Sequence, residues 1–441
     1  MPMSALMHLA QFAIHGPTDH SLATWRHPRT ERPYRWDRPQ LYESIAATCE
    51  RGKLDMLFFA DFNILLDLYQ GSFAPAVRRA VQTPTHDPVP LAAWLGARTS
   101  RLGLGVTFSV SQQHPYYVAR LFATLDHMTA GRIGWNVVTT ANRHETLVGY
   151  DEVRGHDGRY DRADEFLDVC RGLWRSWEPD AVVEDVDAGV FADPSRVHPI
   201  DHAGEYFRSR GPLNVTRSPQ TGPAIIQAGA SERGRAFAGR HAEAIFAIGR
   251  DASDAAVYYD RVKSEVVDSG RDPDSCKVLF GLQPFVAPTE SLARERLEEH
   301  NELVPLEGGL TILSGHLGRD FSQDDPDAPL PHFEAGGSHG ILAMYESGDR
   351  PAPTLAEVAI WHGRSVGLPQ VAGTAEQVAD WLEAYLATAG GDGFMLSAYH
   401  AHGAVAEFVD LVVPVLQERG QFRREYTGTT LREHLRQTTP G

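Results

Sequence analysis

Short β-rich runs alternate with longer stretches whose apolar positions recur every three or four residues, and the alternation persists over most of the chain. Leu6–Ile14, Leu54–Ala60, Leu102–Phe108, Ile133–Thr139, Ala224–Ala228, Ala244–Ile248, Val278–Val286 and Gly393–Ala398 read as strands. Between them Pro39–Arg51, Val89–Thr99, Pro115–Met128, Tyr160–Trp177, Ser231–His241, Asp254–Ser269, Ser291–Val304 and Thr374–Thr388 carry the amphipathic helical period. A strand followed by a helix and then another strand implies parallel pairing, because the helix returns the chain to the same edge. Eight such pairs predict an α/β fold of the (β/α)8, or TIM-barrel, type, with ligands bound where the βα loops gather at the C-terminal strand ends. A doubly wound open sheet is the alternative arrangement of the same elements.

Two stretches interrupt the alternation. Residues 180–220 are rich in Asp, Pro, Gly and His, and residues 307–353 in Gly, Asp and Pro, including Asp324-Asp325-Pro326-Asp327. Both read as long insertions in one barrel domain spanning residues 1–441. Loops of this length in a compact domain often serve as lids, and a lid over the barrel mouth would keep water from the chemistry.

The length of 441 residues suits a barrel with insertions. Cys49, Cys170 and Cys276 are odd in number and far apart, which argues against a disulfide framework and a Cys-based zinc site and fits a reducing cytoplasm. Met1 to Ala10 has no basic region ahead of its apolar residues, and no apolar run approaches the ~20 residues needed to span a bilayer, so no membrane association is expected. A net charge of -17 disfavours nucleic acid and anionic lipid as general partners, although one local basic pocket could still hold a phosphate.

The most informative segment is Pro223 to Arg235, a strand that turns through small residues directly into a helix. Gly229 and Ala230 let a ligand approach the backbone, and Ser231 caps the helix whose free N–H groups face outward, an arrangement suited to phosphate. The spacing matches neither a P-loop nor a dinucleotide fingerprint, since Gly234 is followed by Arg235-Ala236 and no G-x-G-x-x-G occurs. Simple helix capping is the competing explanation. Asp61, Thr107 and Asn136 stand at or near the ends of the second, third and fourth strands and would converge with Ser231 at the barrel mouth. His156, Arg159 and Tyr160 open the helix through Trp174 and combine a titratable ring, a cation and a phenol, as a phosphate or heterocycle edge would require. The alternative has Asp157 capping that helix and Arg159 in solvent.

Gly131-Arg132-Ile133-Gly134-Trp135-Asn136-Val137-Val138-Thr139-Thr140, the His156–Tyr160 helix entry, Arg210-Gly211-Pro212-Leu213-Asn214, Arg217-Ser218-Pro219-Gln220 and Gln227-Ala228-Gly229-Ala230-Ser231 together resemble the bacterial-luciferase-like flavin monooxygenases. Within them, the chain looks like the branch of nitrilotriacetate, dibenzothiophene-sulfone and long-chain-alkane monooxygenases and the large subunit of pristinamycin IIA synthase. The likeness runs almost the whole length, from Leu125–Arg132 to Phe408–Pro414 and Tyr426–Arg432. It implies a barrel that receives FMNH2 from a separate NAD(P)H-dependent flavin reductase and oxidises a small organic substrate with O2 through a flavin peroxide. It also implies a homodimer or homotetramer.

Matched position by position, Asp61, Thr107, His156, Tyr160 and Ser231 correspond to the family's FMN contacts, with Asn136, Gly229 and Ala230 beside them. Thr107 and Asn136 become the candidate catalytic residues, hydrogen-bonding the flavin edge or the bound peroxide; no metal is implied. The tract Phe62–Asp67 lacks a tyrosine expected near Leu66 in alkane-oxidising members, and Ala141 stands where a pocket histidine can occur, which argues against an alkane substrate. Gln82, His114, Arg143 and His144 are polar candidates for the substrate side.

Three other readings compete. A related barrel could be an F420-dependent dehydrogenase, and a flavin-binding subunit need not turn over independently. Gly363-Arg364-Ser365-Val366-Gly367 fits the G-x-S-x-G pattern of serine hydrolases, with Asp392 and His400 following. Its context is wrong, because Thr354–His362 is helix-patterned where a buried strand should lead into the serine.

Overall fold

The computed structural model describes residues 6–111, 113–139, 147–149, 155–229, 231–333, 341, 342, 345 and 352–438, and for His156 only the backbone. Eight strands form the barrel: β1 (His8–Ile14), β2 (Met56–Ala60), β3 (Gly103–Ser109), β4 (Ile133–Val138), β5 (Ala224–Gln227), β6 (Ala244–Ala247), β7 (Lys277–Val286) and β8 (Gly393–Ser397). The principal helices are α1 (Pro39–Arg51), α2 (Pro88–Gly96), α3 (Pro115–Met128), α4 (His156–Trp174), α5 (Glu232–His241), α6 (Ala252–Asp268), α7 (Glu290–Glu302), α8 (Leu306–Leu317), α9 (Leu355–Ser365), α10 (Ala375–Ala389) and, near the C-terminus, α11 (Leu431–Arg436). Each strand pairs in parallel with its sequence neighbours, and β8 returns to pair with β1, so the sheet closes. The open-sheet alternative is excluded by that closure.

Side chains alternate across each strand, so the barrel has two apolar layers. Leu9, Leu57, Leu104, Trp135, Ile225 and Phe280 point outward into the layer shared with the helices. Ala10, Phe12, Met56, Phe58, Ile226, Phe246, Leu279 and Met395 fill the interior. Gly105 and Gly134 leave room there for a larger neighbour: a Cβ at either would lie 3.0 or 2.8 Å from Ile226 Cδ1.

The N-terminal mouth is closed by α11. Thr430 and Glu433 form a capping box that starts the helix, and Leu431 and Leu435 insert into the interior cluster. Arg432 fixes the plug through Glu243, at 2.8 Å, and the Gln220 and Pro223 carbonyls. Arg423, fully buried, donates to Asp55 Oδ1 at 2.6 Å while Asp55 Oδ2 accepts from the Leu9 amide at 2.9 Å, which ties this C-terminal segment to the start of β1.

The two long stretches behave differently from one another. Within 180–220, two short hairpins, Val182–Asp185 with Val190–Ala192 and His202–Ala203 with Arg208–Ser209, lie along α4. Glu165 of α4 accepts from the Tyr206 and Phe207 amides at 2.9 and 2.8 Å, and Trp177 donates to Leu213 O at 2.7 Å. Part of this stretch therefore packs against α4 on the barrel's flank. The second stretch opens with α8, whose buried Leu310, Leu313 and Leu317 pack with Leu355, Val358 and Ala359 of α9. The short strand Gln370–Gly373 then extends the end of β7, pairing with Gln283–Val286. Sequence periodicity misses it because four residues of Gln, Val, Ala and Gly carry little β signal. No helix among the described residues is long and apolar enough to cross a membrane.

Candidate active site

At the C-terminal mouth a cavity of about 620 Å³ is lined by Asp61, Phe62, Thr85, Thr107, Phe108 and Val138, among others. Asp61 follows the last residue of β2, and Thr107 and Asn136 face each other across the β3–β4 register. Asn136 Nδ2 donates to Thr107 Oγ1 at 2.9 Å, and both residues are buried. Having accepted that bond, the Thr107 hydroxyl keeps its own proton to donate. Asn136 Oδ1 is buried and has no hydrogen-bond partner among the described residues. Leaving a buried carbonyl unmatched costs about 1–3 kcal/mol, so this oxygen is an acceptor waiting for a donor.

Burial pushes the Asp61 carboxyl up to about 6, and the neighbouring Asp87 adds to the shift. Near neutral pH the group is therefore closer to its titration point than an ordinary carboxylate is.

The adjoining part of the site is built by the first turns of α4 and α5. Ser231 is the N-cap of α5, its Oγ accepting from the Gly234 amide at 3.0 Å. Burial raises the pKa of the Tyr160 phenol, opposed by hydrogen bonds with Thr139, Ser231 and Gln227. Thr139 also lines the cavity, so Tyr160 links the cavity to the α5 N-terminus. The backbone here is closely fitted. A Cβ on Gly229 would lie 2.6 Å from Gln227 Nε2, and one on Gly234 would lie 2.9 Å from both Ser231 Oγ and the Tyr160 hydroxyl. Tyr258 holds the loop by donating to Gly229 O at 2.9 Å.

Of the sequence-predicted residues, Asp61, Thr107, Asn136, Tyr160, Gly229 and Ser231 come together at this end of the barrel. His156 begins α4 as expected, with its side chain outside the described residues, as are Ala230, Ala141, Arg143 and His144. The cap of α4 is Gly155 and not Asp157, and Arg159 is buried, not solvated. His114 is a helix cap, accepting from the Tyr116 amide at 3.2 Å.

Of a string of polar groups beside the cavity, sequence reasoning named only Gln82. Tyr345 and His362 Nδ1 are 2.7 Å apart, His362 Nε2 and His316 Nδ1 are 2.9 Å apart, and His316 Nε2 reaches Gln82 Oε1 at 3.1 Å. Gln82 Oε1 can only accept, so with both rings neutral one proton order satisfies all three bonds: Tyr345 donates to His362, His362 to His316, and His316 to Gln82. Burial, then the electrostatic influence of His316 and His20, holds His362 well below its usual pKa, so this ring is neutral. His316 also stands 6.1 Å from the ring of Phe62, which lines the cavity. His20 stacks at 3.6 Å on Phe12 at the top of the barrel interior, and burial pulls its pKa down to about 3. These residues come from a loop, two helices and the second long stretch, and no local spacing relates them.

The hydrolase pattern dissolves in the fold. Ser365 is fully buried at the end of α9 and donates to Leu368 O at 2.8 Å, while Asp392 pairs with Lys263 at 3.1 Å.

The fold is a (β/α)8 barrel with a candidate site in its C-terminal mouth, beside a capped helix N-terminus. Residues 45–393 match the luciferase-like monooxygenases, and the chain belongs to that family. It is 43% identical to the dibenzothiophene-sulfone monooxygenase of Rhodococcus erythropolis (strain XP), over 99% of this chain and 97% of that one. Identity to nitrilotriacetate monooxygenase component A of Aminobacter aminovorans is 39%, covering 93% and 92%. Among solved structures, a riboflavin lyase with modified FMN and substrate riboflavin superposes with a TM-score of 0.90 at 36% identity, covering 99% and 97%.

Proposed function

We propose that the chain is the oxygenase component of a two-component system, taking FMNH2 from a separate NAD(P)H-dependent flavin reductase and using O2 to oxidise a small organic substrate. The observation that carries the cofactor assignment is the buried, unmatched Oδ1 of Asn136, whose Nδ2 donates to Thr107, which lines a cavity linked through Thr139 and Tyr160 to a Ser-capped helix N-terminus. A flavin has complementary groups, with ring N–H donors at one end and a phosphate dianion at the other. Ser231, Tyr160, His156 and the backbone of Gly229 and Ala230 would hold the phosphate, where the helix N-terminus favours negative charge by about 0.3–1 kcal/mol. Asp61, Thr107 and Asn136 would lie nearer the ring.

Bound in its reduced form, FMN supplies the electrons that activate O2. This chain's residues do the rest. Thr107 and Asn136 act as a fixed donor and acceptor, oriented before the cofactor arrives by their mutual bond, so little reorganisation is needed during reaction. Phe62, Phe108 and Val138 give the cavity an apolar part of its wall, which disfavours water there. Asp61 holds or releases a proton near neutrality. The name "component A" of the Aminobacter relative supports a divided system, and the FMN in the riboflavin lyase structure supports the cofactor. We take the chain as a single domain, residues 1–441 with excursions at about 180–220 and 307–353, acting in the cytoplasm as a homodimer or homotetramer. Its buried, free cysteines accord with a reducing compartment.

The test is anaerobic mixing with chemically reduced FMN and, separately, reduced F420, followed by stopped-flow absorbance on admitting O2. Binding of reduced FMN, with reoxidation kinetics distinct from those of free flavin, is the expected result. Oxidation indistinguishable from that of free FMN, together with tight F420 binding, would replace this reading with a hydride-transferring one.

A further inference from the structure

On the opposite face of the barrel, by the N-terminal ends of β5 and β6, lies a second cavity of about 780 Å³. Seven arginines line it against three carboxylates, Asp168, Glu243 and Asp272, in a chain whose net charge is -17. Some of these cations have internal work. Arg432 is paired with Glu243, and Arg240 lies 3.5 Å from both Asp164 and Asp168.

The other five form no direct ion pair among the described residues. Arg271 donates to the carbonyls of Gly239, Ala242 and Ser275 at 2.8, 2.7 and 3.3 Å, which fixes its guanidinium without neutralising it. Arg171 donates to His241 Nδ1 at 2.5 Å, and His241 Nε2 in turn serves Asp164, so a neutral ring separates this cation from the carboxylate. Burial lowers the Arg171 pKa; Asp168 opposes that shift, while Arg175, Arg271 and Arg240 add to it, which shows how closely the cationic heads converge. Arg217 reaches only Thr221 Oγ1, at 3.0 Å, among the described residues. Arg175 and Arg436 are exposed at the rim and form no ion pair among the described residues.

We propose that this cavity binds a small polyanion carrying two or more phosphate groups. Guanidinium forks match phosphate oxygens bidentately, and several of them converging on one concave space select for closely spaced negative charges. The volume falls within the range typical of small-ligand pockets. The site lies at the other end of the strands from Ser231 and is independent of the flavin assignment.

The experiment is calorimetric titration of the full-length protein with inorganic pyrophosphate at moderate salt, on wild type, Arg175→Ala/Arg436→Ala and Ser231→Ala. Both arginines are exposed, so the double variant should fold. Saturable binding that weakens by about tenfold or more in the double variant and with rising salt, yet persists in Ser231→Ala, is expected. Replacing pyrophosphate with ADP separates the sources: tighter binding indicates a nucleotide and equal binding a free polyphosphate, and both support the site. Absence of saturable binding, indifference to the double variant, or loss in Ser231→Ala would each overturn the proposal.

Discussion

The C-terminal plug offers a test of how the barrel is held together. Leu431 is fully buried in the interior, and a Cβ on Gly134 would lie 2.9 Å from its Cδ2 and 2.8 Å from Ile226 Cδ1. Leu431→Ala removes a packed side chain and should cost about 2–5 kcal/mol. Gly134→Ala adds a methyl group where none fits and should cost about 1–3 kcal/mol, partly offset by roughly 0.5–1 kcal/mol from the better strand propensity of Ala. In the double variant the space vacated by Leu431 accepts the new methyl group on one side while Ile226 still crowds it on the other. About half of the overpacking cost should therefore disappear, a coupling of roughly 0.5–1.5 kcal/mol in the favourable direction. Urea unfolding followed by Trp fluorescence, compared at constant slope, measures the four corners of the cycle. Additivity within about 0.3–0.5 kcal/mol, or a double variant worse than the sum, would refute the claim that the glycine is shaped around the plug.

Arg423→Met strips Asp55 of its 2.6 Å cationic partner inside the core and should destabilise by about 3–5 kcal/mol, read as a lower urea midpoint. Burial alone would raise the Asp55 pKa, but Arg423 and His8 hold it well below the usual carboxylate range. Its contribution is thus present above the unfolded value, roughly 3.9, and lost as pH falls through the folded one, so acid unfolding of the variant should begin at higher pH. Ser231→Ala should weaken FMN binding several-fold in fluorescence titration, with a stability loss of about 0.5–2 kcal/mol from the missing cap; unchanged affinity would remove the phosphate from this helix. The Asp61 shift has the opposite sign: its raised pKa means stability is greatest below the unfolded value and declines as pH rises toward about 6. Asp61→Asn should therefore be more stable relative to wild type at pH 8 than at pH 4, and should abolish any activity inflection near 6; a persisting inflection assigns it elsewhere.

The eight barrel strands and their helices were legible because each is specified by its own residues: parallel strands buried on both faces are short apolar runs, and amphipathic helices declare their period locally. The Ser231 cap was legible for the same reason, since its partner amide is three residues away. Asp61, Thr107 and Asn136 could be placed at one end because parallel strands bring all their C-terminal ends together, whatever the loops do.

Contacts between distant residues left no such trace. Gln82 meets His316 across 234 positions and Arg423 meets Asp55 across 368, and neither spacing is periodic. The composition of residues 180–220 announced a long excursion but not its path along α4, which follows from where Glu165 and Trp177 offer partners. Likewise seven arginines scattered from Arg171 to Arg436 look like ordinary surface charge until the ends of α4, α5 and α11 bring them around one cavity. Sequence alone determined the order of elements and the end of the barrel that carries the candidate site, because local periodicity and strand direction set both. Packing decided which side chains line that mouth, what plugs the other end and where positive charge gathers, because those depend on surfaces that exist only once the barrel has closed.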